Sequence, residues 1–241
     1  MSGEVLSEDI NVVFSENEIY DIPEEKTTVI IAKHELTAGQ KSYLALKRIA
    51  DFFISLVSLI ILVIPFLIVA AIQKIADPKE PVFFIQERIG KDKRIIKVTK
   101  FRSMKSSAPH YCSTSNFSND GEYITPFCRF LRNSSIDELP QLIQVFTGKM
   151  SLIGPRPLIP QEENVHKMRE AAGIYQLRPG ITGWAQVNGR DLVNDDDKVR
   201  LDYDYLKKIG FRIDLKIFFL TIKTVLKKSD IADVYSENNE R

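Results

Sequence analysis

The longest apolar run in the chain extends from Phe52 to Ile72 and contains 21 residues without a charged side chain. An α-helix rises about 1.5 Å per residue, so a helix of that length reaches across a hydrocarbon core of about 30 Å. The pattern predicts a helix embedded in a membrane. At its N-terminal border, Asp51 lies three residues after Arg48, and the two are expected to pair on one helical face.

Two features of this segment bear on how it lies in the bilayer. Pro65 removes one backbone hydrogen bond, which predicts a bend in the helix. Basic residues flank both ends, with Lys47 and Arg48 before the run and Lys74 and Lys79 after it. Because such residues favour the cytoplasmic side, a helix that enters, bends at Pro65 and returns to the same face accounts for both flanks. A plain spanning helix is the alternative, and the sequence leaves both open.

Two short β-rich segments, Pro81–Gly90 and Arg94–Met104, flank a polar turn and predict a β-hairpin. In the second strand, alternation places Lys100 and Arg102 on the same face as the apolar Val98. Two cations on one face can serve an anionic ligand. A solvated strand with ordinary surface charges is the alternative.

Two amphipathic helices are predicted near the C-terminus. The segment Asp195–Ile209 begins with three acids and ends near two lysines, an order that suits the helix dipole. Asp202 falls on its apolar side, where an unpaired carboxylate is costly, so an arginine or a metal-bound site is expected beside it. The last helix, Ile213–Lys228, has lysines on one side and apolar residues on the other. It fits an anionic membrane surface and an ordinary packed surface helix equally well.

An acidic pair, Asp137 and Glu138, precedes a short apolar helix. Ser135 and Glu138 have the spacing of a capping box, in which both side chains only satisfy helix-end amides. Pro140 argues against that assignment, because a helix capped at Ser135 would need an amide hydrogen from Pro140. A helix that begins near Asp137 leaves Pro140 in the first turn, where no donor is required. The free amides at that end favour a bound anion such as phosphate.

The turn Gly154–Pro157 places Arg156 between two prolines. Its backbone is therefore stiff, and a pre-organised guanidinium suits bidentate recognition of phosphate. Further along, residues 178–190 combine three glycines with Arg178 and Arg190. This composition predicts a loop whose backbone approaches a ligand closely, although glycines alone are weak evidence.

Composition narrows the function classes. The chain has 33 basic and 32 acidic residues and a net charge of +1, which lacks the basic footprint of a general nucleic-acid-binding protein. Cys112 and Cys128 are too far apart for a zinc knuckle or a redox pair, and the three histidines lack ligand spacing. Residues 1–40 are acidic at first and show no cleavable signal peptide, which predicts a cytosolic tail.

Together these elements predict an α+β fold that is mainly helical. It has one membrane-embedded helix, re-entrant and kinked at Pro65, and a compact cytosolic domain with a short β-hairpin and amphipathic interfacial helices. A length of 241 residues fits one domain with additions. The expected divisions are an N-terminal tail (1–46), the membrane helix (47–76), the folded domain (77–232) and a C-terminal tail (233–241).

Six segments follow one another in a highly specific order: Lys47–Phe52, Gln86–Gly90, Lys100–Met104, Leu131–Leu142, Gly154–Pro157 and Arg178–Gly183. In this order they resemble the bacterial sugar transferase family, the monotopic polyprenyl-phosphate phosphoglycosyl transferases. The resemblance covers residues 47 to 228. It departs at Ile64, where some members have a serine before the proline of the membrane helix, so the bend has to rest on Pro65 and the flanks.

The resemblance implies an enzyme at the cytoplasmic face of the bacterial inner membrane. Such enzymes transfer a sugar 1-phosphate from a UDP-sugar to polyprenyl (undecaprenyl) phosphate, which starts the assembly of lipid-linked glycans such as capsule, O-antigen or exopolysaccharide. The resemblance implies that Asp137 is the nucleophile. It would attack the β-phosphate, release UMP and form an aspartyl intermediate that the lipid phosphate then attacks.

The resemblance also implies Mg²⁺, with Glu138 as its ligand beside Asp137. The residues expected to hold phosphates and nucleotide are Lys100, Arg102, Arg132, Arg156, Arg178 and Arg190, with Asp202 orienting one of the arginines. The expected partners are a UDP-sugar, polyprenyl phosphate and the lipid bilayer, without nucleic acid; a homo-oligomer is left open.

Two other functions are compatible with the same pattern. One is a catalytically inactive membrane scaffold that organises glycan assembly, although the intact Asp137, Glu138 and Arg156 argue against it. The other is an enzyme that transfers the sugar directly, without a covalent intermediate. No single residue indicates which sugar is used.

Overall fold

The computed structural model describes residues 33–104, 124–188 and 194–227. Within these ranges the protein is mainly helical, as predicted, with two small sheets of two strands each. The α-helices are α1 (Ala38–Ala76), α2 (Pro126–Asn133), α3 (Leu142–Phe146), α4 (Glu163–Ala171), α5 (Trp184–Val187), α6 (Asp195–Lys208) and α7 (Phe211–Lys227). The strands are β1 (Phe83–Ile89), β2 (Ile95–Phe101), β3 (Ser151–Ile153) and β4 (Gly180–Thr182). The predicted site residue Arg190 lies outside the described ranges.

Helix α1 contains the apolar run. It is 39 residues long, continues through Pro65, and is the one helix in the described ranges that is long and apolar enough to cross a membrane. Many of its apolar side chains face outward, and Ile60 and Ile64 are more than half exposed. A capping box between Thr37 and Gln40 starts the helix at Ala38, well before the boundary at residue 47 that the sequence suggests.

Two charged side chains hold the N-terminal half of α1 to the rest of the fold. Arg48 donates to the carbonyls of Val145 (2.7 Å) and Phe146 (2.8 Å) at the end of α3, where a cation also suits the helix dipole. Asp51 accepts from the backbone amide of Leu152 at 3.2 Å. The predicted pair of Arg48 with Asp51 is therefore wrong, because backbone groups of neighbouring segments take up each side chain instead.

The C-terminal part of α1 contacts β1 and β2. Phe66 packs edge-on against Phe101, with ring centroids 5.2 Å apart, and Phe101 stacks on Phe83 at 5.3 Å. Gln73 donates its side-chain amide to the carbonyl of Arg102 at 2.7 Å. Both halves of α1 are thus attached to the rest of the fold.

Strands β1 and β2 form the predicted antiparallel hairpin. The predicted alternation in β2 also holds, because Ile96 and Val98 are buried in a small core with Met150. Lys100 follows two residues later on the same side and reaches Glu138. The hairpin therefore places Lys100, one of the predicted cations, in contact with the predicted acid Glu138.

The sequence does not predict the second sheet, in which β3 and β4 run parallel. Ser151 pairs with Gly180 and Ile153 with Thr182, and the Gly154 amide donates to the Thr182 carbonyl at 2.9 Å. A β-carbon on Gly180 would lie 2.1 Å from the Gly154 nitrogen, so only glycine fits there. Part of the predicted glycine-rich loop is therefore a strand, in which Gly180 allows the close approach of the Gly154 backbone.

The largest apolar core combines residues of α4, α6 and α7 with residues of the connecting segments, and Leu36 joins it from the segment before α1. Beside it, the buried carboxylate of Asp214 accepts hydrogen bonds from Tyr43 of α1 and Tyr205 of α6, both at 2.7 Å. Lys47 of α1 pairs with the same carboxylate. This cluster connects the N-terminal part of α1 to α6 and α7.

Helix α7 is amphipathic, as predicted. Ile217 is fully buried, whereas a set of apolar side chains on α7 is exposed. The exposed apolar residues are Phe211, Leu215, Phe218, Phe219 and Ile222. The helix therefore packs with one side and presents apolar surface with the other.

Candidate active site

A 3₁₀ helix over Ile136–Gln141 carries the two acids. It follows Ser135, whose φ of 57° turns the chain away from α2. Ser135 makes no side-chain capping hydrogen bond, which excludes the capping-box alternative. The helix starts close to Asp137 as expected from Pro140, but as a separate 3₁₀ turn that precedes α3.

Glu138 meets two cations from distant parts of the chain. The Lys100 ammonium lies 2.6 Å from Glu138 Oε1, and the Arg156 guanidinium lies 3.5 Å from the same oxygen. Lys100 comes from the end of β2, and Arg156 comes from the turn after β3. Their side chains are 21% and 31% exposed, and that of Glu138 is 19% exposed. The structure thus brings three predicted site residues together where a ligand can still reach them.

Asp137 is more deeply placed than Glu138. It is buried, and one of its oxygens accepts from the Ser103 hydroxyl at 3.2 Å. Burial raises the pKa of Asp137 above its ordinary value, and the charge of Glu138 adds to the rise; the cations Lys100 and Arg132 oppose it. A carboxylate in a drier setting is less well solvated, and it is therefore a better nucleophile once it is ionised.

Two of the predicted phosphate-binding arginines make structural contacts. Arg102 pairs with Glu80 at 3.1 Å, on the segment that joins α1 to β1. Arg178 donates through Nε to the carbonyl of Gly148 at 2.9 Å. Neither contact involves Asp137 or Glu138. Each arginine links segments that surround the acids.

Asp202 has the arginine partner that its position on the apolar side of α6 predicts. The partner is Arg169 of α4, which is not among the predicted site arginines. Both side chains are buried, with exposures of 1% and 4%. Burial raises the pKa of Asp202, and the adjacent Arg169 guanidinium opposes the rise. Asp202 therefore lies in the core and does not line the site itself.

Sequence reasoning missed Ser103 and Arg169. Ser103 directly follows the predicted Arg102, but nothing in the local pattern shows that its hydroxyl reaches Asp137. Arg169 did leave a signal. It lies four residues after Val165 and three before Ala172, both buried, and a cation on such an apolar stripe needs a buried partner.

The sequence model of the bacterial sugar transferase family matches residues 42–228. The chain belongs to the bacterial sugar transferase family. The matched region includes Lys100, Asp137, Glu138 and Arg156, so the contacts described above lie inside the shared part of the fold.

Several members of this family are similar to the chain. The undecaprenyl-phosphate glucose phosphotransferase of Komagataeibacter xylinus is 40% identical over 73% of this chain and 35% of that protein. The UDP-N-acetylgalactosamine-undecaprenyl-phosphate N-acetylgalactosaminephosphotransferase of Aeromonas hydrophila is 35% identical over 76% of this chain and 44% of that protein. The chain thus spans less than half the length of these two relatives. The uncharacterized sugar transferase EpsL of Bacillus subtilis (strain 168) is 37% identical over 81% of this chain and 95% of its own length.

Proposed function

We propose that the protein transfers a sugar 1-phosphate from a UDP-sugar to undecaprenyl phosphate at the cytoplasmic face of the bacterial cell membrane. The observation that carries the proposal is the contact of Glu138 with Lys100 and Arg156, directly beside the buried Asp137. Carboxylates that face cations can bind and transfer phosphoryl groups, because the cations offset the charge of the phosphates. The names of the relatives support the choice of donor and acceptor.

In the proposed reaction, an oxygen of Asp137 attacks the β-phosphorus of the UDP-sugar. A bond forms between that oxygen and phosphorus, while the bond from phosphorus to the oxygen that bridges to the α-phosphate breaks. UMP leaves with that electron pair, and the sugar phosphate stays on the aspartate. An oxygen of undecaprenyl phosphate then attacks the same phosphorus and regenerates the Asp137 carboxylate.

Lys100 and Arg156 are the cations best placed for the transferred phosphate. In the structure they neutralise Glu138, and their exposed portions leave room to exchange part of that contact for phosphate oxygens. Arg132 acts on Asp137 through its charge, so it is a third candidate. Arg102 and Arg178 support the surrounding segments instead.

The donor set fits the Mg²⁺ that the family implies. Protein-bound Mg²⁺ is often held by one or two carboxylates plus substrate phosphates, and two adjacent acids supply that number. The described residues contain no group of three or more His, Cys, Asp or Glu side chains suited to a metal, which is consistent with a site completed by substrate. Glu138 and Asp137 would hold the ion. When bound, it would offset phosphate charge.

The attachment of α1 supports a re-entrant helix. Arg48 and Gln73 are 25 residues apart in this helix, which is about 38 Å along a straight axis. A spanning helix would place them on opposite sides of a core about 30 Å thick. Both nevertheless bond to the same domain, through the carbonyls of Val145 and Arg102. The exposed apolar side of α7 would lie at the same membrane surface.

The reaction is tested by measuring UMP release with undecaprenyl phosphate, Mg²⁺ and a panel of UDP-sugars. The proposal expects one or a few sugars to give turnover. It also expects a radiolabelled sugar phosphate to remain on the protein when the lipid acceptor is omitted. Turnover without labelled protein would favour direct transfer, and no release with any sugar would favour an inactive scaffold.

The topology is tested separately by labelling single cysteines in intact cells. Cysteines placed before α1 and in the folded domain should both be protected from an impermeant reagent. Labelling of the N-terminal position alone would show a spanning helix.

A further inference from the structure

The turn that bears Arg156 is held through five consecutive carbonyl groups. Each one accepts a hydrogen bond from a donor elsewhere in the fold. The carbonyls of Pro155 and Leu158 accept from the backbone amides of Gly180 and Ile89, both at 2.9 Å. Those of Arg156 and Pro157 accept from Nη1 of Arg169 (2.8 Å) and Nη1 of Arg88 (3.1 Å). The Ile159 carbonyl accepts from Nε2 of His166 at 2.8 Å. Such a set leaves the turn little freedom to change its backbone angles.

Arg169 has a special place among these donors because it holds the carbonyl of Arg156 itself. Proline on either side already restricts this segment. Pro157 in particular favours extended angles at Arg156, and the direction of the Arg156 carbonyl depends on its ψ angle. The hydrogen bond from Arg169 adds to these restrictions and holds the peptide group next to the Cα from which the Arg156 side chain reaches toward Glu138.

The guanidinium of Arg169 is itself held by a second partner. A second nitrogen of its guanidinium, Nη2, donates to Asp202 of α6, and the planar guanidinium group keeps the directions of its donors rigid. Tyr175 lies beside it, and its hydroxyl also contacts His166. His166 donates through Nε2 to the Ile159 carbonyl, and its Nδ1 forms a hydrogen bond with the Tyr175 hydroxyl. The chain of contacts runs from α6 through α4 to the turn.

We propose that Arg169, oriented by Asp202, is a positioning residue that sets the direction of the Arg156 side chain in the active site. The inference rests on the proposed function, because Arg156 must act on a phosphate for its position to matter. A purely structural role for the pair is the competing explanation. Buried ion pairs often add little net stability compared with well-packed apolar side chains, so the two roles can be separated.

The first experiment compares Arg169→Lys with the wild type by UMP release. Lysine keeps the charge that faces Asp202 but cannot donate in two fixed directions. We expect kcat to fall about 10- to 100-fold, since small displacements of a catalytic group have effects of that size, while KM for the UDP-sugar changes less. The matched control is Glu170→Gln on the same helix, which removes an exposed pair with Lys93 and should leave kcat unchanged.

The second experiment places Arg169→Lys in an Arg156→Lys background. If Arg169 acts through Arg156, the double variant should be no slower than Arg156→Lys alone, because there is no guanidinium left to position. Losses in kcat that multiply would overturn the inference, as would wild-type kcat in Arg169→Lys. An inactive wild type would instead count against the proposed function.

A third variant covers the case in which Arg169→Lys does not fold. Arg169→Met combined with Asp202→Leu removes both charges and retains core volume, a change that proteins often tolerate. We expect it to be folded, with a thermal midpoint near that of the wild type, and to have the same loss of kcat. A folded variant with wild-type kcat would show that the pair does not position Arg156.

Discussion

Glu138 and Asp202 are both carboxylates that meet a basic side chain, and both act on the Arg156 turn. Glu138 contacts the guanidinium of Arg156, while Asp202 reaches the Arg156 carbonyl through Arg169. The difference is solvent: the Glu138 side chain is 19% exposed and that of Asp202 is 1% exposed. A partly hydrated pair can exchange a partner for a phosphate or a metal, whereas a dry pair cannot. For these two ion pairs, exposure thus separates a carboxylate whose partners can be exchanged from one that keeps its partner in place.

The largest expected effect comes from Asp137→Asn. The amide has the size of the carboxylate but lacks the attacking anionic oxygen, so UMP release should fall by at least about 10³-fold. Membrane association should not change, which membrane flotation of the variant can check. UMP release at a substantial fraction of the wild-type rate would remove Asp137 from the role of nucleophile.

The next test contrasts the two carboxylates directly. Glu138→Gln should lower kcat about 10²- to 10³-fold with a thermal midpoint close to that of the wild type. Asp202→Asn should destabilise the protein by about 3–5 kcal/mol, because it leaves Arg169 charged and buried without its partner. Thermal unfolding and UMP release measured on both variants give the comparison. Equal destabilisation by the two substitutions would remove the distinction.

The smallest expected effect is a shift in pH dependence. The proposed reaction needs Asp137 ionised, and its pKa is raised, so turnover should decline as pH falls and should do so above the ordinary titration range of aspartate. Lys100 opposes that rise, so Lys100→Met should raise the pKa further and move the acidic limb of the rate profile to higher pH. A limb that stays in place or moves to lower pH would contradict the electrostatic role of Lys100.

Local rules predict the elements of this protein and several members of its site. Pro140 has no amide hydrogen to donate, and this property alone predicts a helical turn that starts close to Asp137. Alternation in β2 puts Lys100 on the inner face, and helical periodicity puts Asp202 in the core. In each case the governing constraint lies within a few residues.

Contacts between distant segments could not be read in the same way. The pairing of Ser151 with Gly180 depends on how β3 and β4 pack, and the partner of Asp202 is 33 residues away on another helix. Of the predicted arginines, Arg156 reaches Glu138, whereas Arg102 and Arg178 contact structural partners. Their binding of phosphate stays a prediction. The charge of a side chain can be read from the sequence, but the partner that it contacts depends on how the segments pack.

In the proposed re-entrant arrangement, the double attachment of α1 has a consequence for how the two proposed substrates meet. A domain fastened at two points of such a helix would be restrained from rocking, so Asp137 would stay at a constant height relative to the lipid headgroups. The nucleotide sugar arrives by diffusion in three dimensions, whereas a lipid phosphate moves within a plane. The proposed phosphosugar intermediate, held at constant height, would therefore react with a lipid that diffuses in only two dimensions, and this restriction would raise the effective concentration of the lipid.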